Sequence, residues 1–265
     1  MKIEKHKHRL KFGKIISDVF YKKGAQPSTA VVLGYGLLSS PERNDSAIVN
    51  RLVEEGFMVW VPHFEGTFAS DGVCTFDNAA DTFLAVIKGI KKGKDVELWD
   101  NTEVTWNASD IILVGASFGG AAALVAGAKS DDIRKIVALA APNDFKKRAE
   151  ETDQMKHYST WKRGWQNVWR IGTSDWKRFA KGNVDLNPIE YIEKLKDKHT
   201  LLIHHKDDGV VNLNHSIELQ TKIESGSGNH RMVILNSKGH LGIGDLAEES
   251  LLEEFMKWLK EVRGK

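Results

Sequence analysis

The chain reads as an α/β protein, a mainly parallel sheet of about eight strands with helices on both faces. Three observations predict this. Short β-branched runs alternate with segments of helical period, and glycines stand where those helices must stop. With 265 residues, 41% of them hydrophobic, the chain is also long enough to bury a deep core.

Residues 8–21 (HRLKFGKIISDVFY) read as two antiparallel opening strands. Further strands are predicted at Ala30 to Gly34, Met58 to Pro62, Asp110 to Gly115, Ile133 to Ala140, His199 to His204 and Arg231 to Asn236. Between them, Ile48, Leu52 and Val53 form a helical stripe that stops at Gly56. Phe83, Val86, Ile87 and Ile90 form another that stops at Gly93. The last helix sets Leu251, Leu252, Phe255, Leu259 and Val262 against Glu248, Glu249, Glu254 and Lys257, and should close the sheet.

The stretch from Phe145 to about Pro188 breaks this rhythm, because it far exceeds an ordinary β-to-α loop and holds four of the eight tryptophans. It is predicted as a helical insertion, a lid over 145–188, with 1–144 and 189–265 forming the core. Trp161, Trp165 and Trp169 recur every four residues, which on one helix makes a stripe that either glues the lid down or walls a substrate pocket. Gly172 is expected to end that helix, with Trp176 in the next. The segment's basic surplus reads as a solvated face.

The formal charge is only +2, so neither nucleic acid nor an anionic membrane is implied as a partner. The N-terminus, MKIEKHKHRLKF, carries charge where a leader needs an apolar run, and no run approaches a membrane span, which predicts a cytoplasmic protein. The single cysteine, Cys74, forms no intrachain disulfide and fits a reducing compartment. It reads as an inert thiol rather than a second nucleophile.

The chemistry is concentrated around Ser117. Ile111 to Val114 is a buried strand running into Gly115, Ala116, Ser117, Phe118 and Gly119, then into the small-residue helix Ala121 to Ala128. A G-x-S-x-G turn between strand and helix reverses the chain in few residues, strains the serine backbone and admits only small neighbours, thrusting the hydroxyl outward. This strand, turn and helix resemble the nucleophile elbow of the α/β-hydrolase superfamily. A serine hydroxyl needs a base. His240, in the glycine-flanked loop just past the last strand, is the candidate; His157, His215 and His230 read as surface positions.

The segment Leu201 to Val211 resembles the superfamily's strand-and-loop pattern H-G-x-x-D-x-x-V-P, with His205 and Asn212 in place of the usual glycine and proline. The match makes Asp208 the acid, with Asp207 and Asp144 as rivals. The chain order Ser117, Asp208, His240 is that of the superfamily. A metal site from His204, His205, Asp207 and Asp208 is disfavoured, because adjacent strand residues face opposite ways. No cofactor is implied.

One oxyanion donor should be the Phe118 backbone N–H, and the other should come from the loop Gly34, Tyr35, Gly36, Leu37. That G-Y-G run is similar to the loop of prolyl oligopeptidase-like enzymes, where a tyrosine hydroxyl is an oxyanion donor, so the resemblance leaves the Tyr35 side chain either a second donor or a packing group. Asn187 to Tyr191 resembles the same branch, and no β-propeller is expected ahead of the domain. His63 stands where an aspartate is usual and reads as structural. The resemblance implies a serine hydrolase acting on a small ester, a carboxylesterase. A small peptidase or acyl-peptide hydrolase on short peptides is the alternative, and a silent binding protein the third reading.

Overall fold

The computed structural model describes residues 4–262. Its strands are β1 (Lys5–Phe12), β2 (Ile15–Lys22), β3 (Thr29–Gly34), β4 (Met58–Pro62), β5 (Lys94–Val96), β6 (Glu103–Thr105), β7 (Asp110–Ala116), β8 (Lys135–Leu139), β9 (His199–Asp207) and β10 (His230–Lys238). The α-helices are α1 (Ala47–Glu54), α2 (Ala79–Lys92), α3 (Phe118–Lys129), α4 (Phe145–Glu151), α5 (Lys156–Thr160), α6 (Thr173–Ala180), α7 (Ile192–Leu195), α8 (Asn214–Ile223) and α9 (Glu249–Glu261).

Among the described residues the main sheet has eight strands in the order β1-β2-β4-β3-β7-β8-β9-β10. Only the pairings of β2 with β1 and β4 are antiparallel. The central strands are apolar on both faces, as a sheet covered twice requires. Period-two alternation sorts them into two cores: Ala30, Val32, Ile111 and Leu113 face α2 and α3, whereas Val31, Leu33, Ile112 and Val114 face α1 and α9. This is the α/β-hydrolase architecture, and the eight expected strands are those of the main sheet.

Two elements depart from expectation. The hairpin β5–β6 has three-residue strands, too short for a periodic signal. It is anchored by buried Glu97, which accepts the Arg9 N–H at 2.8 Å. The tryptophan stripe does not lie on one helix: helical backbone runs through α5 and a π-helical turn at Trp161–Trp165, after which Trp169 bridges Thr67 in extended form. The physical reason is tertiary pairing, with Phe68 N–H donating to Val168 O at 2.7 Å and Arg170 N–H to Gly66 O at 2.8 Å. Gly172 accordingly starts α6 rather than ending a helix.

Segment 145–188 is helical in the main and is stitched to the loop after β4 by these bonds, while Trp161 Nε1–H donates within the segment to Trp169 O at 2.7 Å. Among the described residues, no helix is long and apolar enough to cross a membrane.

Candidate active site

Ser117 joins β7 to α3 at φ 52°, ψ −121°, a conformation that costs a non-glycine residue about 1–3 kcal/mol. Backbone bonds hold it there: its N–H donates to Leu139 O at 2.7 Å, and its carbonyl accepts from Gly120 N–H at 2.9 Å. The glycines are needed because backbone meets backbone. A Cβ on Gly115 would lie 2.1 Å from Gly119 O, and one on Gly119 would lie 2.5 Å from Gly34 O. α3 is buried all round, so its alanines let it press against the sheet.

β9 carries the chain to Asp208, and β10 ends just before His240. His240 Nδ1 lies 2.8 Å from Asp208 Oδ2, while Oδ1 accepts the Val210 and Val211 N–H groups at 2.7 and 3.0 Å. Burial raises the Asp208 pKa, but hydrogen bonds from His204 and His240 outweigh it and hold the carboxyl well below the usual range. The carboxylate is therefore ionised and only accepts, so His240 Nδ1 donates, and in the neutral ring the lone pair then falls on Nε2. The Asp208 side chain is fully buried and the His240 ring is 22% exposed, a carboxylate sealed behind an imidazole that reaches solvent.

The Phe118 N–H opens α3 and has no intrahelical acceptor, which aims an unspent donor at the Ser117 side of the helix. The Tyr35–Gly36 backbone passes beside it; a Cβ on Gly36 would lie 3.6 Å from Ser117 Cβ. The Tyr35 hydroxyl is committed elsewhere: it lies 2.7 Å from Thr67 Oγ1 and accepts the Phe64 N–H at 2.9 Å. Of the two readings of this side chain, its contacts are those of packing, which leaves Tyr35 its backbone N–H. The tyrosine is drawn inward by an aromatic cage of Phe64, Phe68 and Trp169.

Ser117, Phe118, Tyr35 and His240 all border one cavity of about 410 Å³. Its further walls come from Leu37, Ser39 and Glu42 after β3, from Phe145, Arg148, Gln154, His157 and Phe179 of the 145–188 segment, and from Leu241 to Gly244. Trp161, Trp165 and Trp169 do not border it. Trp169 stands one layer behind, its Nε1–H donating to Ser39 O at 3.0 Å.

Residues 45–265 match the sequence pattern of the prolyl oligopeptidase family, well over half of the chain. The chain belongs to the prolyl oligopeptidase family. As a member of that family it is a serine hydrolase of the α/β-hydrolase fold. No curated protein matches the sequence. Solved structures share the fold at low identity. The Pyrococcus furiosus esterase Pf2001 superposes with a TM-score of 0.68 at 16% identity, covering 98% of this chain and 93% of that one. A Mycobacterium tuberculosis puromycin-hydrolyzing peptidase gives 0.68 at 14%, covering 99% and 40%. A Pyrococcus horikoshii acylaminoacyl peptidase gives 0.62 at 12%, covering 98% and 41%.

The rivals for chemistry in this prolyl oligopeptidase family member are used elsewhere. Asp144 caps α4, accepting the Lys146 N–H at 2.8 Å, and Asp207 is exposed. Cys74 is buried, which pushes its thiol up to about 12. His63 is structural: it accepts the Ala69 N–H at 3.1 Å and lies 3.7 Å from Asp18. His205 Nδ1 pairs with Ser237 Oγ at 2.7 Å.

None of the three histidines expected at the surface is fully exposed: His230 is half-buried, its ring 2.9 Å from Thr200 Oγ1 and 3.0 Å from Lys196 O. His215 is fully buried, with Nε2 3.1 Å from Glu151 and Nδ1 bound to the Asn143 side chain, because α8 turns that face onto the end of β8 and α4. His157 is half-buried on the cavity wall. Arg148, Gln154 and Glu42 also escaped sequence reasoning, since lone polar residues in a charged segment carry no spacing signal.

Proposed function

We propose that the chain hydrolyses carboxylic esters through Ser117, His240 and Asp208. His240 Nε2 takes the Ser117 hydroxyl proton as Oγ attacks the ester carbonyl. The tetrahedral oxyanion receives the Phe118 and Tyr35 N–H groups, each donor contributing roughly 3 kcal/mol to the barrier lowering. Collapse expels the alcohol, which leaves with the proton from His240, and water, activated by the same imidazole, releases the acid. Segment 145–188 acts as a lid whose Phe145, Arg148 and Phe179 shape the substrate site. The single cysteine, which is buried, suits a cytoplasmic enzyme.

The observation that carries the reading is the 2.8 Å bond from His240 to buried Asp208 on the wall of the cavity that Ser117 borders. Esters are preferred over peptides because an alcohol needs less help to leave than an amine, and the Pyrococcus furiosus neighbour of the same fold is an esterase. A peptidase reading is supported by the family match itself. The test is fluorophosphonate labelling, followed by a series of 4-nitrophenyl esters against matched aminoacyl 4-nitroanilides, with wild type and Ser117→Ala. Labelling at Ser117 with faster ester cleavage is expected. Full activity in the alanine variant would sink the mechanism, and faster anilide cleavage would make the enzyme a peptidase.

A further inference from the structure

The cavity wall supplied by α4 carries a buried cation without a bonded counterion. Arg148 is 4% exposed and borders the cavity, and its Nη1 is buried with no hydrogen-bond partner among the described residues. Burial lowers its pKa, opposed by the charges of Glu151 and Asp208. Neither carboxylate closes a hydrogen-bonded pair with it. Glu151 Oε2 faces His215 Nε2 at 3.1 Å, and Asp208 is filled by His240, His204 and the Val210 and Val211 N–H groups. A buried guanidinium left in that state is costly unless something else receives its donors.

The arginine is also held in place. Gln154, itself buried, donates Nε2–H to Arg148 O at 3.3 Å and to Thr152 O at 2.9 Å, tying down the end of α4. Phe145 and Phe179 add apolar surface to the same cavity. The cavity's own acid, Glu42, comes from the loop after β3, a different element, and burial pushes its carboxyl up toward the neutral form.

We propose that Arg148 is a substrate-recognition residue that binds a carboxylate carried by the substrate at a distance from the scissile ester. A planar guanidinium offers paired donors that match a carboxylate's two oxygens. One cation already under the influence of two carboxylates suits a monoanion better than a phosphate dianion, and the cavity's phenylalanines suit an alkyl or aryl body. This rests on the ester-hydrolase reading and gives it a substrate class, the monoesters of dicarboxylic acids or esters of carboxylated alcohols.

The test compares isosteric pairs. The 4-nitrophenyl hemiester of adipic acid is set against 4-nitrophenyl hexanoate, which places the charge on the acyl side, and 4-acetoxybenzoate against phenyl acetate, which places it on the leaving group. With wild type, kcat/KM for one charged ester should exceed its neutral partner by about tenfold or more. Arg148→Gln should cut that charged-to-neutral ratio by about tenfold, mainly through KM. Arg148→Lys should restore part of it. Calorimetric binding of monomethyl adipate to Ser117→Ala, lost in the double variant with Arg148→Gln, reads recognition without turnover.

An unchanged ratio in Arg148→Gln, whether activity holds or falls on both esters alike, would overturn the proposal and make Arg148 a partner of Asp208. So would a wild type that prefers the neutral ester in both pairs, or, where the adipate ester is the preferred one, no binding of monomethyl adipate. Failure of Ser117 to label, with no ester cleaved, would instead overturn the hydrolase reading, while the binding measurement still decides the role of Arg148.

Discussion

His204 stands directly behind Asp208: its Nε2 lies 3.3 Å from Asp208 Oδ2, the oxygen that takes His240 Nδ1 at 2.8 Å. The same Nε2 lies 2.9 Å from Val211 O, and Nδ1 lies 2.7 Å from Ser216 Oγ. Both groups facing Nε2 only accept, so it carries the proton and Nδ1 accepts from the Ser216 hydroxyl. His204 thus shares Asp208 Oδ2 with His240 and helps to orient the carboxylate.

His204→Ala should therefore cost about 2 kcal/mol of stability, since it strands buried acceptors, and should lower kcat about tenfold with little change in KM. His204→Gln, which keeps a side-chain N–H, should recover most of kcat. Urea denaturation and steady-state kinetics check the two effects separately; an alanine variant with normal kcat would remove His204 from the mechanism.

Tyr35→Phe distinguishes a structural hydroxyl from a catalytic one. Loss of its bonds to Thr67 and the Phe64 N–H should destabilise the fold by about 1–2 kcal/mol. The kcat should fall less than about threefold, against the 10²–10³ expected for a lost oxyanion donor. A drop of that larger size would return the hydroxyl to the oxyanion site.

Ser117 pays for its exposure in backbone strain, and the strain is measurable. Both Ser117→Ala and Ser117→Gly should abolish labelling and lower turnover by about 10⁴ or more. Only glycine adopts φ 52°, ψ −121° freely, so Ser117→Gly should be the more stable of the two by about 1 kcal/mol, after the extra entropy of unfolded glycine is deducted. Thermal unfolding of the pair gives the difference, and a glycine variant less stable than alanine would mean that no strain is stored there.

Asp18 makes stability pH-dependent far from the active site. Burial raises its pKa, but two 2.7 Å bonds from Arg9, with His63, outweigh it and hold the carboxyl at about 2. That lies below the unfolded value of about 3.9, so the native state binds fewer protons in this window. The stabilisation is present above pH 3.9 and is lost as pH falls toward 2, about 2.5 kcal/mol in all. Asp18→Asn should therefore be less stable near neutrality and should flatten the stability curve between pH 5 and 2; parallel slopes for variant and wild type would refute the linkage.

What the sequence determined by itself is what local physics encodes. Every main-sheet strand after β1 announces itself by β-branched residues, and the elbow by the need for glycine where Gly115 and Gly119 meet backbone at 2.1 and 2.5 Å. His240 was legible as a glycine-flanked histidine past the last strand, and Asp208 as a match to a pattern. Tertiary structure alone decided where groups with no spacing signal end up. It drew the Tyr35 hydroxyl to Thr67, broke the tryptophan stripe by pairing Trp169 with Thr67, buried His215 beside Glu151, and set Arg148 on the cavity wall. Contacts between residues tens of positions apart depend on how the layers pack, and a lone polar side chain carries no periodicity from which that packing can be read.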